Sequence, residues 1–153
     1  MEDRHEQRYL WPYDDIRGFC PPVLISACPL GIPYRWHGRR KKRRDGLMER
    51  LSGRYVLVPV CPEQLGGLPT PRSGAYLQGT GAQVLDEGLR FIDPNTGEDL
   101  TQAHLDGAEH TLDIARIVGV RRAYMKSGSP SCDREGIAGE VLSRGGVKVI
   151  RIG

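Results

Sequence analysis

Cys28, Cys61 and Cys132 each lie at or just past the carboxyl end of a short apolar segment that has the composition of a β-strand. The three segments are residues 23–28, 54–60 and 120–126. Runs of β-branched and aliphatic residues that end at proline or glycine predict buried strands. In open parallel α/β sheets, ligands bind outside the carboxyl ends of the strands. We therefore expect three thiolates to meet at that edge and to form one site for a soft metal.

The spacing of these cysteines leaves several kinds of chemistry open. A zinc knuckle needs local Cys-x-x-Cys pairs, which the three residues do not form. An iron–sulfur cluster accepts any spacing that the fold brings together. A nucleophilic or redox-active cysteine and three inert buried thiols are the other possibilities. Histidine does not support a nucleophilic cysteine, because His104 lies on an apolar helical stripe and His110 lies about 240° around the same helix.

Residues near the cysteines suggest proton transfer and hydrogen bonding. Glu63 lies in a loop rich in glycine and proline, two residues after the second cysteine. A carboxylate beside an apolar strand end could have a raised pKa and shuttle protons, or it could form an ion pair with Arg72. Ser129 and Ser131 precede the third cysteine. Their hydroxyls could hydrogen-bond a sulfur or a water, or could simply form the turn.

The pattern of the remaining chain predicts alternating strands and helices. The predicted strands are 23–28, 54–60, 120–126 and 147–152, and the predicted helices are about 40–52, 99–118 and 135–144. Two short alternating runs, 82–85 and 89–92, predict a small β-hairpin insertion. This order predicts an α/β fold with a mostly parallel sheet and helices on both faces, a Rossmann-like three-layer arrangement. The long segment 62–75 lacks periodicity, which is typical of functional loops.

Length and composition indicate one domain. A chain of 153 residues can bury a core, and no apolar stretch reaches the ~20 residues that a membrane span needs. We expect residues 1–21 to form an N-terminal arm and residues 22–153 to form a single α/β domain. The N-terminus is charged and is followed by no apolar signal core, which predicts a cytoplasmic protein with reduced cysteines.

One basic run accounts for the net charge of +3. The six residues from Arg39 to Arg44 are all cationic, and the rest of the chain is net acidic. Such a run can bind RNA or another anionic surface. It lacks the interleaved aromatic residues of a nucleic-acid surface, so a solvated loop or helix start is the alternative.

The segments around the cysteines also match a known pattern. They contain Ser-Ala-Cys-Pro-Leu-Gly at 26–31, Cys-Pro-Glu-Gln-Leu-Gly-Gly-Leu-Pro-Thr-Pro-Arg at 61–72 and Ser-Pro-Ser-Cys at 129–132. In order and spacing they resemble the signature of the bacterial 2-thiouracil desulfidase (TudS) family. The resemblance covers about residues 22–153.

This resemblance implies a 4Fe–4S cluster held by three cysteines, which by motif position are Cys28, Cys61 and Cys132. It also implies that the fourth iron has no protein ligand and takes up the sulfur of a thiocarbonyl substrate. In the family that the chain resembles, water then replaces the sulfur without net redox change, and hydrogen sulfide leaves. An open soft-metal site suits polarisation of a C=S bond. The resemblance further implies that Glu63 transfers protons and that Ser129 positions water or substrate.

The chain departs from the family pattern at several places. The basic run is unusually dense, Asp133 stands where a glycine commonly follows the third cysteine, and Cys20 lies outside the match. As a fourth ligand, Cys20 would close the open iron. We expect desulfuration of 2-thiouracil or a related thiolated base or nucleoside. The alternatives are desulfuration of thiolated RNA that the basic run binds, and a non-catalytic iron–sulfur module.

Overall fold

A computed structural model describes residues 20–153 of the chain. Within this range, four parallel strands form one sheet, and five α-helices connect and cover them. The strands are β1 Pro22–Ser26, β2 Val56–Val60, β3 Arg122–Lys126 and β4 Lys148–Ile152. The helices are α1 Asp45–Ser52, α2 Pro62–Leu65, α3 Gly81–Glu87, α4 Thr101–Val118 and α5 Ile137–Arg144. The predicted α/β class with a parallel sheet is confirmed.

The strand order β2-β1-β3-β4 makes β1 a central strand. It pairs with β2 in a register that runs from Pro22 opposite Val56 to Ser26 opposite Val60. On its other side β1 pairs with β3, so successive strands are added in opposite directions from β1. The crevice beyond the carboxyl ends at such a switch point is where open α/β sheets bind ligands.

Helices cover both faces of the sheet. On one face, Leu112 of α4 and Leu142 of α5 lie in one core cluster with strand residues such as Met125. On the other face, Leu47 and Leu51 of α1 lie in a second cluster with residues of β1 and β4. All five residues of β1 are buried, because both of its faces are covered.

The apolar stripe of α4 has the predicted helical spacing. Its buried positions include Leu100 just before the helix, His104, Ala108, Leu112 and Ala115. His104 is 4% exposed, and its ring centroid lies 4.4 Å from that of Phe91. Its Nδ1 atom is 2.9 Å from the carbonyl oxygen of Leu100. Burial lowers the pKa of His104 to about 4, so this residue is a neutral part of the core, as the sequence predicts.

The predicted β-hairpin in the segment 82–92 is wrong. Its first run lies in α3, and its second run contributes only an isolated bridge between Ile92 and Asp99. The Thr80 hydroxyl accepts the Gln83 backbone N–H at 3.2 Å, and the Gln83 side chain accepts the Thr80 N–H at 3.0 Å. This Thr-x-x-Gln capping box stabilises a helix start. It is present in the sequence, but the alternating pattern of the segment led to the prediction of strands.

Two other elements differ from their predictions. The first helix begins at Asp45 rather than near residue 40, because a helix there would place like charges four residues apart, as at Arg40 and Arg44. The Arg44 backbone N–H instead donates to the Pro29 carbonyl at 3.0 Å. β2 is an edge strand, so the prediction of a buried strand is correct only at its end. Val60 is 5% exposed, whereas Val56 is 52% exposed.

The predicted N-terminal arm falls almost entirely outside the described part of the chain. Residues 1–19 lie outside it, so the arm at 1–21 and its boundary with a domain at 22–153 stay predictions. Within residues 20–153, no helix has the length and apolar composition needed to cross a bilayer.

We expect His104 to make the free energy of unfolding depend on pH. Its pKa is about 4 in the folded protein and about 6.5 in the unfolded chain, so the unfolded chain binds the proton first as the pH falls. The contribution of His104 to the free energy of unfolding is therefore present above about pH 6.5 and is lost as the pH falls toward 4. Lowering the pH from about 7 to about 5 should reduce the free energy of unfolding by on the order of 2 kcal/mol. Urea unfolding of the parent and of His104→Leu across this range measures the difference.

Ile117→Ala is the control, because it changes an exposed side chain of the same helix that binds no proton. It should keep the pH dependence of the parent. A His104→Leu protein whose stability falls as steeply as that of the parent would contradict the prediction.

Candidate metal centre

The three cysteines of the motifs lie beyond the carboxyl ends of three adjacent strands. Cys28 begins a short 3-10 turn after β1, and Cys61 directly follows β2. Cys132 lies in the loop between β3 and α5. All three line one cavity of about 450 Å³. The structure therefore brings together sulfur atoms from three distant parts of the chain.

Burial keeps these thiols protonated in the absence of a metal. It raises the pKa of Cys28 and of Cys61, and it raises the pKa of Cys132 to about 12. The other two cysteines raise the pKa of Cys132 further, whereas the positive charge of Arg72 lowers that of Cys28 and Cys61. Because the thiolate is the form that binds a metal, loading of the site would release protons.

The donor set suits a multi-iron cluster. Among residues 20–153, no three His, Cys, Asp or Glu side chains are placed to hold one metal ion together. The three thiols nevertheless influence one another across the cavity. In an iron–sulfur cluster each cysteine binds a different iron, so the thiols need only surround the cluster. Cys28, Cys61 and Cys132 would be its ligands.

Ser129 organises the loop that carries Cys132. Its Oγ atom accepts the backbone N–H groups of Ser131 at 3.2 Å and of Cys132 at 3.0 Å. The turn that the sequence left as an alternative is therefore present. Side-chain hydrogen bonds with Ser26 and Ser129 also lower the pKa of Cys132, in opposition to its burial. Ser26, at the end of β1, was not singled out from the sequence.

Asp133 ties the same loop to the sheet. Its carboxylate accepts the Gly128 backbone N–H at 2.6 Å and the Arg151 Nε–H of β4 at 2.7 Å. A glycine at this position would provide neither acceptor. The departure from the family pattern therefore has a structural role beside the third cysteine.

Close backbone packing positions α2, the short helix that follows Cys61. A Cβ atom added to Gly107 in α4 would overlap the carbonyl oxygen of Pro62. A Cβ atom added to Gly66, at the end of α2, would overlap the carbonyl oxygen of Ala103. The backbones of α2 and α4 therefore touch with no side chain between them, and only glycine allows this approach.

Glu63 pairs with Arg72, which is the ion pair that the sequence analysis gave as an alternative. The guanidinium of Arg72 contacts Oε2 of Glu63. The side chains of Arg72 and Glu63 are only 11% and 15% exposed, respectively. The other carboxylate oxygen, Oε1, accepts the Ser131 hydroxyl at 3.3 Å. Both oxygens are thus engaged, and the carboxylate is held in one orientation in the wall of the cavity.

Arg72 connects the segments that follow two of the cysteines. Besides Glu63, its guanidinium donates to the Tyr34 carbonyl at 3.1 Å and to Thr70 Oγ1 at 3.0 Å. That Tyr34 carbonyl oxygen lies 4.0 Å from Cys61 Sγ. Burial lowers the pKa of Arg72, and the three cysteines of the cavity raise it. This wider role was missed from the sequence, where the only signal was the place of Arg72 at the end of the second motif.

Cys20 is not brought to this cavity. It precedes β1, whereas the other three cysteines follow their strands. A five-residue strand spans about 16 Å, so Cys20 lies toward the amino ends of the strands, on the side of the sheet away from the cavity. Within the described part of the chain, the cysteines that line the cavity are the three of the motifs.

The basic run from Arg39 to Arg44 lies in irregular backbone beside the turn of Cys28. Arg40 donates to the Gly31 carbonyl at 3.4 Å, at the end of that turn. Its exposed side chains are Arg39, Arg40, Lys42 and Arg43. The solvated loop expected as an alternative is therefore present, close to one predicted cluster ligand.

Known proteins share the sequence and fold that carry this site. The model of the 2-thiouracil desulfurase family matches residues 23–149. The chain belongs to this family. It is 36% identical over 111 residues to the uncharacterized protein YbbK of Bacillus subtilis (strain 168), a match that covers 72% of each chain. The solved structure of a [4Fe-4S]-dependent thiouracil desulfidase, TudS, superposes with a TM-score of 0.72 at 32% identity, covering 86% of this chain and 90% of that one.

The desulfurase family match includes the main residues of the cavity. Cys28, Cys61, Glu63, Arg72 and Cys132 all lie within residues 23–149, whereas Cys20 lies outside them. The predicted membership of the TudS family is confirmed. The roles of the individual residues stay predictions.

We expect the buried pair of Arg72 and Glu63 to be strongly coupled. Arg72→Gln leaves a poorly exposed carboxylate without its partner and should lower the free energy of unfolding by about 3 kcal/mol. The double variant with Glu63→Gln should lose less free energy of unfolding than the two single variants lose in sum, because no charge then remains unpaired. Urea unfolding of the parent, the two single variants and the double variant gives the coupling energy.

The exposed pair of Arg90 and Asp99 provides the control, since its side chains are 62% and 38% exposed. Arg90→Gln should cost no more than about 1 kcal/mol. Strictly additive effects of the Arg72 and Glu63 changes would show that their pairing does not stabilise the site.

Proposed function

We propose that this chain is a [4Fe–4S]-dependent, non-redox desulfidase. It replaces the thiocarbonyl sulfur of 2-thiouracil, or of a related thiolated nucleobase, by oxygen and releases hydrogen sulfide. The observation that carries the proposal is the convergence of Cys28, Cys61 and Cys132 on one cavity. The thiouracil desulfidase TudS, whose fold the chain shares, supports it.

The three cysteines would hold the cluster through three of its irons. The described residues offer no fourth cysteine in the cavity, which supports a fourth iron without a cysteine ligand. When bound, the cluster supplies a Lewis-acidic iron to the sulfur of the C=S group. Such an iron would polarise the C=S bond, and the mostly apolar surroundings of the partly buried cavity would strengthen the polarisation.

Glu63 is the residue that we assign to proton transfer. Its carboxylate is fixed by Arg72 and Ser131 inside the cavity. It would accept a proton from the water that attacks the thiocarbonyl carbon and return it to the departing sulfur. The water oxygen stays on the carbon and both water protons leave with the sulfur, so no electron is transferred overall.

Ser129 is assigned to positioning water or substrate. Its oxygen already accepts two backbone N–H groups, so its hydroxyl hydrogen is the group that it has left to donate. That hydrogen can go to the Cys132 sulfur or to a water in the cavity. Either use places a hydrogen-bond donor beside the reacting atoms.

Anaerobic reconstitution with iron and sulfide, followed by assay of sulfide release from 2-thiouracil, tests the proposal. Serine in place of Cys28, Cys61 or Cys132 should prevent stable cluster binding and abolish turnover, because each change removes a ligand. Cys20→Ser should retain both the cluster absorbance and turnover. Loss of the cluster in Cys20→Ser, or retention in the other three variants, would contradict the ligand assignment.

In the same assay, Glu63→Gln should keep the cluster absorbance and lose about 100-fold or more in kcat, because proton transfer is removed. Glu109→Gln changes an exposed carboxylate of α4 and is its control. A fully active Glu63→Gln protein would refute the assigned role. A loaded parent protein that releases no sulfide would instead favour a non-catalytic iron–sulfur module.

Thiolated RNA is a second candidate substrate, because the exposed basic run lies beside the turn of Cys28. Cations that neutralise phosphates make binding fall steeply with salt. An RNA that contains 4-thiouridine, added to the same assay, distinguishes this candidate. Sulfide release that falls with salt, and falls less steeply after Arg39 and Arg40 are both replaced by Gln, would favour RNA over the free base.

A further inference from the structure

Exposed aromatic side chains are concentrated at the cavity of the three cysteines. Among residues 20–153, six large hydrophobic residues are exposed, and three of them line this cavity. They are Tyr34, Trp36 and Tyr76, which are 37%, 48% and 60% exposed. Exposed aromatic residues at a concave site are typical of ligand binding rather than of core packing.

Trp36 is held in place although about half of it is exposed. A Cβ atom added to Gly74 would lie 3.0 Å from two atoms of the indole, so the ring packs against the bare backbone of Gly74. The carbonyl of Trp36 accepts the Arg72 backbone N–H at 2.6 Å. The His37 ring meets the indole edge-to-face, with centroids 5.0 Å apart. The indole is thus supported from several sides without being buried.

The backbone of Trp36 lies close to the cysteines. The Tyr34 carbonyl oxygen, two residues earlier, lies 4.0 Å from Cys61 Sγ. Two residues of extended chain span at most about 7 Å, so the backbone of Trp36 lies within a short distance of this thiol. Arg72 binds the Tyr34 carbonyl, the Trp36 carbonyl and Glu63 together. The indole and the predicted proton-transfer residue therefore share one support.

We infer that Trp36 is the platform on which the planar ring of the substrate stacks. The inference rests on the proposed function and specifies how its substrate is held: a pyrimidine ring lies on the indole, with its thiocarbonyl directed toward the cysteines. Every nucleobase has an aromatic face, so stacking provides affinity without selecting the ring substituents. Tyr34 and Tyr76 line the same opening and would limit the space beside the ring.

Stacking of this kind acts to nearly the same extent on the ground state and the transition state, because water attacks only one of the six ring atoms, the thiocarbonyl carbon, and the other ring atoms keep their stacked face. Loss of the platform should therefore raise KM and leave kcat nearly unchanged. Removal of a stacking aromatic residue typically weakens binding by about 10-fold or more. A residue that merely supported the fold would instead alter cluster content or kcat.

The test compares Trp36→Ala, Trp36→Phe and Gly74→Ala with the parent, all loaded anaerobically with the cluster. For Trp36→Ala we expect KM for 2-thiouracil to rise about 10-fold, with kcat within about 2-fold. Calorimetry with uracil, the desulfurated product, should show the same loss of affinity without any turnover. Trp36→Phe should restore most of the affinity, and Gly74→Ala should weaken it by displacing an unchanged indole.

Ile117→Ala is the matched control, because it truncates a hydrophobic side chain that is 84% exposed and lies outside the cavity. It should leave KM and uracil affinity unchanged. If the parent turns over while Trp36→Ala and Gly74→Ala keep the parent KM and uracil affinity, the inference is overturned and the proposed function stands. If the parent releases no sulfide, the proposed function fails, and uracil calorimetry alone decides whether Trp36 is a platform.

Discussion

The parallel pairing of β1 with both β2 and β3 is the constraint on which the site depends. Parallel strands run in one direction, so the residues that follow their carboxyl ends meet at one edge of the sheet. Cys28, Cys61 and Cys132 reach one cavity because each follows one of these strands. Cys20 illustrates the converse, since it precedes β1 and is not among the cavity residues.

Burial of the cavity works against the charges that its chemistry needs. It raises the pKa of all three thiols, and it makes an unpaired carboxylate costly. Arg72 opposes both effects in part, because its charge, with the larger effect of Arg35 at Cys28, lowers the pKa of Cys28 and Cys61, and because it pairs directly with Glu63. A partly buried arginine that also binds the backbone of Tyr34 therefore combines an electrostatic role with a structural one.

Local patterns predicted the elements of this fold where burial is periodic, and failed where another interaction prevails. The stripe of α4 was predicted because its buried side recurs at helical spacing, with Gly119 ending the helix at a φ of 80°. The segment 82–92 alternates like a strand, yet the capping box of Thr80 and Gln83 starts a helix there. The exposure of Val56 follows from the position of β2 at the edge of the sheet, which no local pattern encodes.

The sequence by itself determined the α/β class, the three cysteine motifs and the family to which the chain belongs, because hydrophobic spacing and short motifs are properties of neighbouring residues. Only the tertiary structure decided that Arg72 holds Glu63, that Asp133 binds Arg151, and that Trp36 stands at the cavity on the backbone of Gly74. These contacts join residues from different loops and strands. They depend on strand order and on the close approach of backbones, which arise only when the whole chain packs together.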